Sequence, residues 1–81
     1  RPHPDIASTY GALSFTYMQS GQYIRGLGNC RLSVDMFKKI HRNRPHPDLG
    51  ESLMNLGSVY LRLGQHKRAI RYYQRSLEMF K

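Results

Sequence analysis

Apolar residues recur along this chain at helical spacing. Ile6, Tyr10, Leu13 and Tyr17 advance by four, three and four positions, and Leu49, Leu53, Leu56 and Tyr60 do the same. Residues so spaced share one side of a helix, whereas a half-buried strand would alternate. A second stripe follows each of these. It comprises Tyr23, Leu27, Cys30, Val34 and Phe37 in one case, and His66, Ala69 with Ile70, Tyr73, Leu77 and Phe80 in the other. Gly21-Gln22 and Gly64-Gln65 interrupt the pattern and are the natural turning points. Pro4 and Pro47 suit a first helical turn, where the missing N–H has no bond to lose, and Asp5 and Asp48 place negative charge at the helix's positive end. The pattern predicts helices over 4–19, 23–41, 47–62 and 66–80.

The chain also repeats itself. Arg1, Pro2, His3, Pro4 and Asp5 return unchanged as Arg44, Pro45, His46, Pro47 and Asp48, a displacement of 43 residues. The register then holds without gaps: Leu13 falls on Leu56, Tyr17 on Tyr60, Gly21 on Gly64, Arg25 on Arg68, Ser33 on Ser76 and Phe37 on Phe80. Fourteen of the 38 aligned pairs are identical, which one chance motif would not produce. The expected organisation is therefore a first helical hairpin over 1–43 and a second over 44–81. The connector through Pro45 is too short to separate independent domains. Small residues at Ser14, Gly26, Ser33, Gly57, Ala69 and Ser76 fall on inward sides, as close helix approach requires.

These residues resemble the tetratricopeptide repeat family, whose unit is a pair of antiparallel helices. In the second unit Leu53, Leu56, Gly57, Tyr60, Gly64, His66, Ala69, Tyr73 and Ser76 take the family's large, small, aromatic and turn positions. The first unit is looser, with Ser14 for glycine, Gly26 for alanine and Cys30 for an aromatic. The usual unit is about 34 residues. The longer period here and the His-Pro-Asp opening resemble the long-unit branch seen in kinesin light chains and related adaptors, an architecture also found attached to nucleotide-binding signalling proteins. The resemblance implies an all-α fold of tandem antiparallel helical hairpins, a right-handed solenoid fragment of two repeats and four helices. Opening on Arg1 rather than Met, the chain is expected to be a piece of a longer array.

The resemblance also implies a groove lined by the first helix of each repeat. At 100° per residue, Glu51, Met54, Asn55, Ser58 and Arg62 face away from Leu53, Leu56 and Tyr60. Ser8, Gly11, Ala12, Phe15 and Gln19 form the matching stripe, with Met18 and Leu61 at its margin. Asn55 matches the asparagine that often bonds a peptide backbone in the family, and a side-chain amide can donate and accept together. Its counterpart is Ala12, so one such clamp is missing. Phe15, Met18, Met54 and Leu61 offer apolar contacts, and Arg62 a partner for a carboxylate. The expectation is a protein–protein interaction module that binds an extended, acidic peptide with hydrophobic anchors.

Charge widens the field. Thirteen Lys and Arg against five Asp and Glu give a formal charge of +8, which draws acidic partners without choosing among them. Lys67, Arg68, Arg71 and Arg75, with Arg25, Arg31, Lys38 and Lys39, make a basic outer side on the second helices. Single-stranded nucleic acid is therefore an alternative partner. A third reading is a structural spacer that self-associates through exposed repeat ends.

Enzymatic chemistry is not expected. The five acids are scattered, no strand is predicted to carry a phosphate loop, and Cys30 lies on an inward stripe, where thiols are inert. Cys30 with His41 or His66 is the only conceivable nucleophile pair. His3 and His46 repeat with the turn motif and are expected to cap helices, so no metal and no cofactor is expected. One cysteine forms no intrachain disulfide. The absence of a membrane-spanning apolar run or secretory pattern suggests a cytoplasmic setting.

Overall fold

The computed structural model describes residues 1–81 and holds four helices: α1 (Pro4–Gln19), α2 (Tyr23–His41), α3 (Pro47–Arg62) and α4 (His66–Met79). The boundaries follow from the local chemistry anticipated above, and α4 stops one residue short of Phe80. Proline occupies the first turn of α1 and α3. The repeated histidine is the cap: His3 Nδ1 accepts the Asp5 N–H at 3.0 Å, and His46 Nδ1 accepts that of Asp48 at 3.0 Å. Each thereby satisfies one of the N–H groups a helix start leaves open. Gly21 and Gly64 sit at φ 79° and 77°, a left-handed conformation that glycine takes at no steric cost. Between hairpins, Arg42 and Asn43 adopt φ 53° and 59° and turn the chain without glycine.

The architecture is all-α, two antiparallel hairpins set side by side. α1 packs on α2, α3 packs on α4, and α2 joins the hairpins by lying along α3. The core is concentrated at that seam, where Cys30, Val34 and Phe37 meet Leu49, Leu53, Leu56 and Tyr60. Leu49, Leu53 and Tyr60 are each only 1% exposed.

Two apolar stripes behave differently from their sequence pattern. In α1, Ile6 and Leu13 remain 45% and 40% exposed, and the buried residues of that helix are Ala7 and Ser14. In α4, Ile70, Leu77 and Phe80 remain 56%, 64% and 53% exposed, His66 is exposed, and Ala69 and Ser76 are buried. The physical reason is positional. The equivalent residues of α3 and α2 are covered by each other across the seam, whereas α1 and α4 are flanked on one side only.

Within each hairpin the small positions do more than save space. Ser33 Oγ donates to the Ala7 carbonyl at 2.9 Å, and in the same register Ser76 Oγ donates to the Gly50 carbonyl at 2.6 Å. Ser14 Oγ donates to the Gly26 carbonyl at 2.8 Å. Each hydroxyl thus ties one helix to the main chain of its partner, and no buried side-chain polar atom is left without a bond. At Gly57 the helices approach so closely that an added Cβ would stand 2.9 Å from the Tyr73 ring and 3.2 Å from the Ala69 carbonyl.

Candidate functional site

Because α1 and α3 meet at only a few points while α2 lies behind both, a cleft runs between them. Its C-terminal half is walled by Phe15, Met18 and Gln19 of α1 and by Asn55, Ser58 and Arg62 of α3, with Gly11, Ser14 and Val59 at its base. The N-terminal half is more polar, with Ser8, Asp48, Glu51 and Ser52 around a floor of Ser33 and Phe37. Gly11 and Asn55 line both halves, so the two are one continuous feature.

Seven of the nine residues singled out in the sequence gather on this cleft: Glu51, Asn55, Ser58 and Arg62 from α3, and Phe15, Met18 and Gln19 from α1. Met54 and Leu61 do not line it. They are 42% and 47% exposed and occupy the helical positions that Gly11 and Met18 hold in α1. On α1 that flank looks toward α3, and on α3 it looks away from α1. Ala12 is likewise exposed but outside the lining.

The side chains on the cleft differ in how free they are. Phe15 is 66% exposed, a large apolar surface left in water. The Asn55 amide is exposed and enters none of the chain's own side-chain hydrogen bonds, so its donor and acceptor are both available. Ser58 is occupied: its hydroxyl donates to the Met54 carbonyl at 3.2 Å and shares a 3.0 Å contact with the Tyr73 hydroxyl. Arg62 has no carboxylate within ion-pair distance, and neither has any other arginine, since the ion pairs present involve His3, His41, His46 and Lys81.

Four arginines of the second helices lie over tyrosines. Arg31 and Arg68 lie over the Tyr60 ring at 6.0 and 5.6 Å, Arg75 lies over Tyr72 at 5.5 Å, and Arg25 lies over Tyr17 at 5.9 Å. Tyr60 and Tyr72 stack at 5.4 Å. Arg31 also donates to the Tyr60 hydroxyl at 2.6 Å, which holds its guanidinium further above its usual range. Tyr60 and Tyr72 are thus engaged both by arginine and by each other.

At the hairpin junction a polar cluster appears that the sequence pattern did not single out. His41 Nε2 is 3.2 Å from Asp48 Oδ2, and the His41 and His46 rings stack at 3.6 Å with planes 10° apart. In that arrangement the rings' lone pairs lie in separate parallel planes. A single ion lies in at most one of them, and His46 Nδ1 is already engaged as a cap. His41 meets Asp48 across two helices, so no periodic signal marked the contact. Cys30 is 1% exposed; burial pushes its thiol up to about 11, the Ser14 hydroxyl pulling weakly the other way. That is a structural cysteine, without the electropositive setting a nucleophile needs.

No helix is long and apolar enough to cross a membrane. No curated protein matches the chain. The family to which hairpins of this kind point is nonetheless identifiable: residues 5–81 match the tetratricopeptide repeat family model, and the chain belongs to that family of protein–protein interaction repeats.

Proposed function

We propose that the cleft between α1 and α3 binds an extended peptide segment carrying acidic and hydrophobic residues, without chemical change to it. The observation that carries this reading is the juxtaposition of an exposed aromatic, Phe15, with an unengaged amide, Asn55, and an unpaired cation, Arg62, on facing walls. Phe15 and Met18 accept an apolar side chain, Asn55 bonds the peptide's main chain, and Arg62 meets a carboxylate. The net charge of +8 assists encounter. Ser58 serves the fold more than the ligand, because its hydroxyl is already shared with Tyr73. Met54 and Leu61 would add contacts only for a segment that continues past α3. The 43-residue period and the repeated His-Pro-Asp opening further support placing the chain with the long-unit, kinesin light chain-like branch of its family.

Nucleic acid is the weaker reading, since the outer tyrosines that might stack on bases are covered by arginines. Fluorescence anisotropy with labelled acidic peptides, competed by single-stranded RNA at two salt concentrations, separates the two. Asn55→Ala is expected to weaken peptide binding by about 1–3 kcal/mol, the scale of a lost hydrogen-bonding partner. Unchanged peptide affinity in the folded variant, or equal displacement by any RNA, overturns the proposed role.

A further inference from the structure

The chain carries +8, yet its cleft does not share that sign. Of thirteen lysines and arginines only Arg62 lines it, at the C-terminal end, while Asp48 and Glu51 line the other. Both ends are free to act. Arg62 has no carboxylate within ion-pair distance, and Glu51 has no cation, since the carboxylates in ion pairs are those of Asp5, Asp48 and Glu78. Asp48 meets His41 and His46 through Oδ2 alone, which leaves Oδ1. The N-terminal half, a cavity of about 210 Å³, suits a hydrogen-bond donor. The Ser33 and Ser52 hydroxyls donate to the Ala7 and Leu49 carbonyls at 2.9 Å each, so their oxygens are left as acceptors beside the two carboxylates. Lysine and arginine heads are charged and only donate. On α1 this half is walled by Ser8 and Gly11, whose small size leaves room for a long stem, with Phe37 in the floor beneath it.

Resting on the reading of the cleft as a peptide site, we propose that its ligand is charge-asymmetric. A lysine or arginine side chain enters the N-terminal half beside Glu51, an acidic one meets Arg62, and an apolar one lies on Phe15 between them. The helix sets the spacing. Glu51 and Arg62 are separated by about 16 Å along α3, which an extended chain covers in about five residues. Phe15 holds in α1 the position of Ser58 in α3, so the apolar residue falls about three residues from the basic one. A uniformly acidic segment would instead bring a carboxylate against Glu51, and like charges facing each other reject it. The two charged residues of the ligand cancel, so the chain's +8 does not select it from a distance; Glu51 selects it at contact.

The test is fluorescence anisotropy with a labelled peptide of the pattern Lys-Gly-Ser-Leu-Ser-Asp, set in a glycine–serine segment with capped ends, and with the same pattern reversed. The order that binds more tightly is carried forward. Replacing its lysine by glutamine is expected to weaken binding about three- to fivefold, the scale of one exposed charge pair. Replacement by aspartate is expected to weaken it more, although both changes suit a chain of charge +8. Glu51→Gln is expected to erase the difference between the lysine and glutamine peptides, and Glu51→Lys to reverse the preference in favour of aspartate. Arg62→Gln is expected to keep the lysine preference and to erase the difference between aspartate and asparagine at the other end. Both positions are exposed, and circular dichroism checks that each variant keeps its helices. Equal affinity for the lysine and aspartate peptides, or a lysine preference that survives Glu51→Gln, overturns this inference; the cleft reading stands in that case if Asn55→Ala still weakens binding. Binding indifferent to Asn55→Ala, or no binding by any peptide, overturns the cleft reading itself.

Discussion

Replacing Gly57 by alanine sets two effects of opposite sign against each other at one atom. In a helix interior, alanine is favoured over glycine by about 0.5–1 kcal/mol through lost backbone freedom. The new methyl, however, would stand 2.9 Å from Tyr73 Cδ1 and Cε1 and 3.2 Å from the Ala69 carbonyl oxygen. Neither neighbour yields easily. The ring is held at its far end by the 3.0 Å contact with Ser58, and the carbonyl belongs to the main chain of α4. Overpacking of this kind costs about 1–3 kcal/mol, so Gly57→Ala is expected to be a net loss of about 1 kcal/mol. Gly28→Ala is the control, because it lies in α2 with nothing within 4 Å of the added methyl and should gain about 0.5–1 kcal/mol. For a chain this small, each kcal/mol moves the melting temperature by about 4–8 °C. Thermal unfolding followed by circular dichroism should therefore shift the two variants in opposite directions. If both rise together, the close approach of α3 and α4 at Gly57 is not what excludes a side chain there.

Ser76→Ala removes the hydroxyl that donates to Gly50, and should lower stability by about 1 kcal/mol in urea denaturation, with Ser33→Ala behaving alike in the other hairpin. Cys30 predicts a pH effect. Its thiol is protonated in both folded and unfolded chains below pH 9, and between 9 and about 11 the unfolded chain ionises while the buried thiol does not. Stability should then fall by about 3 kcal/mol more across that window in wild type than in Cys30→Ala, and equal pH slopes would remove the burial argument. At neutral pH the thiol should react with a disulfide reagent only as fast as the chain opens.

The helices were legible in the sequence because their punctuation is chemical. His3 and His46 cap, Pro4 and Pro47 start, and Gly21 and Gly64 stop, each for reasons confined to a few neighbouring atoms. Burial was less legible. Ile6 and Leu49 occupy the same position in the repeat, yet one is 45% exposed and the other 1%, because a stripe shows which face is apolar and not what covers it. The same one-sidedness separates Met18, which lines the cleft, from Leu61, which does not. Serines at the inward positions could have been read as more than small, since Ser33 and Ser76 recur in register with a carbonyl opposite each. His41 offered no such signal; its contact with Asp48 exists only once α2 and α3 are brought together.

The serine clamps have a mechanical consequence. Their acceptors are main-chain oxygens, so the bond is indifferent to the side chain beside it, and it forms equally over Ala7 and Gly50. Sliding one helix past its partner by a turn would carry the acceptor about 5.4 Å out of reach. Each hairpin is therefore locked against sliding at these points. Across the seam the same task falls to side chains alone, Arg31 with Tyr60 and His41 with Asp48, so register between hairpins depends on residue identity where register within a hairpin does not.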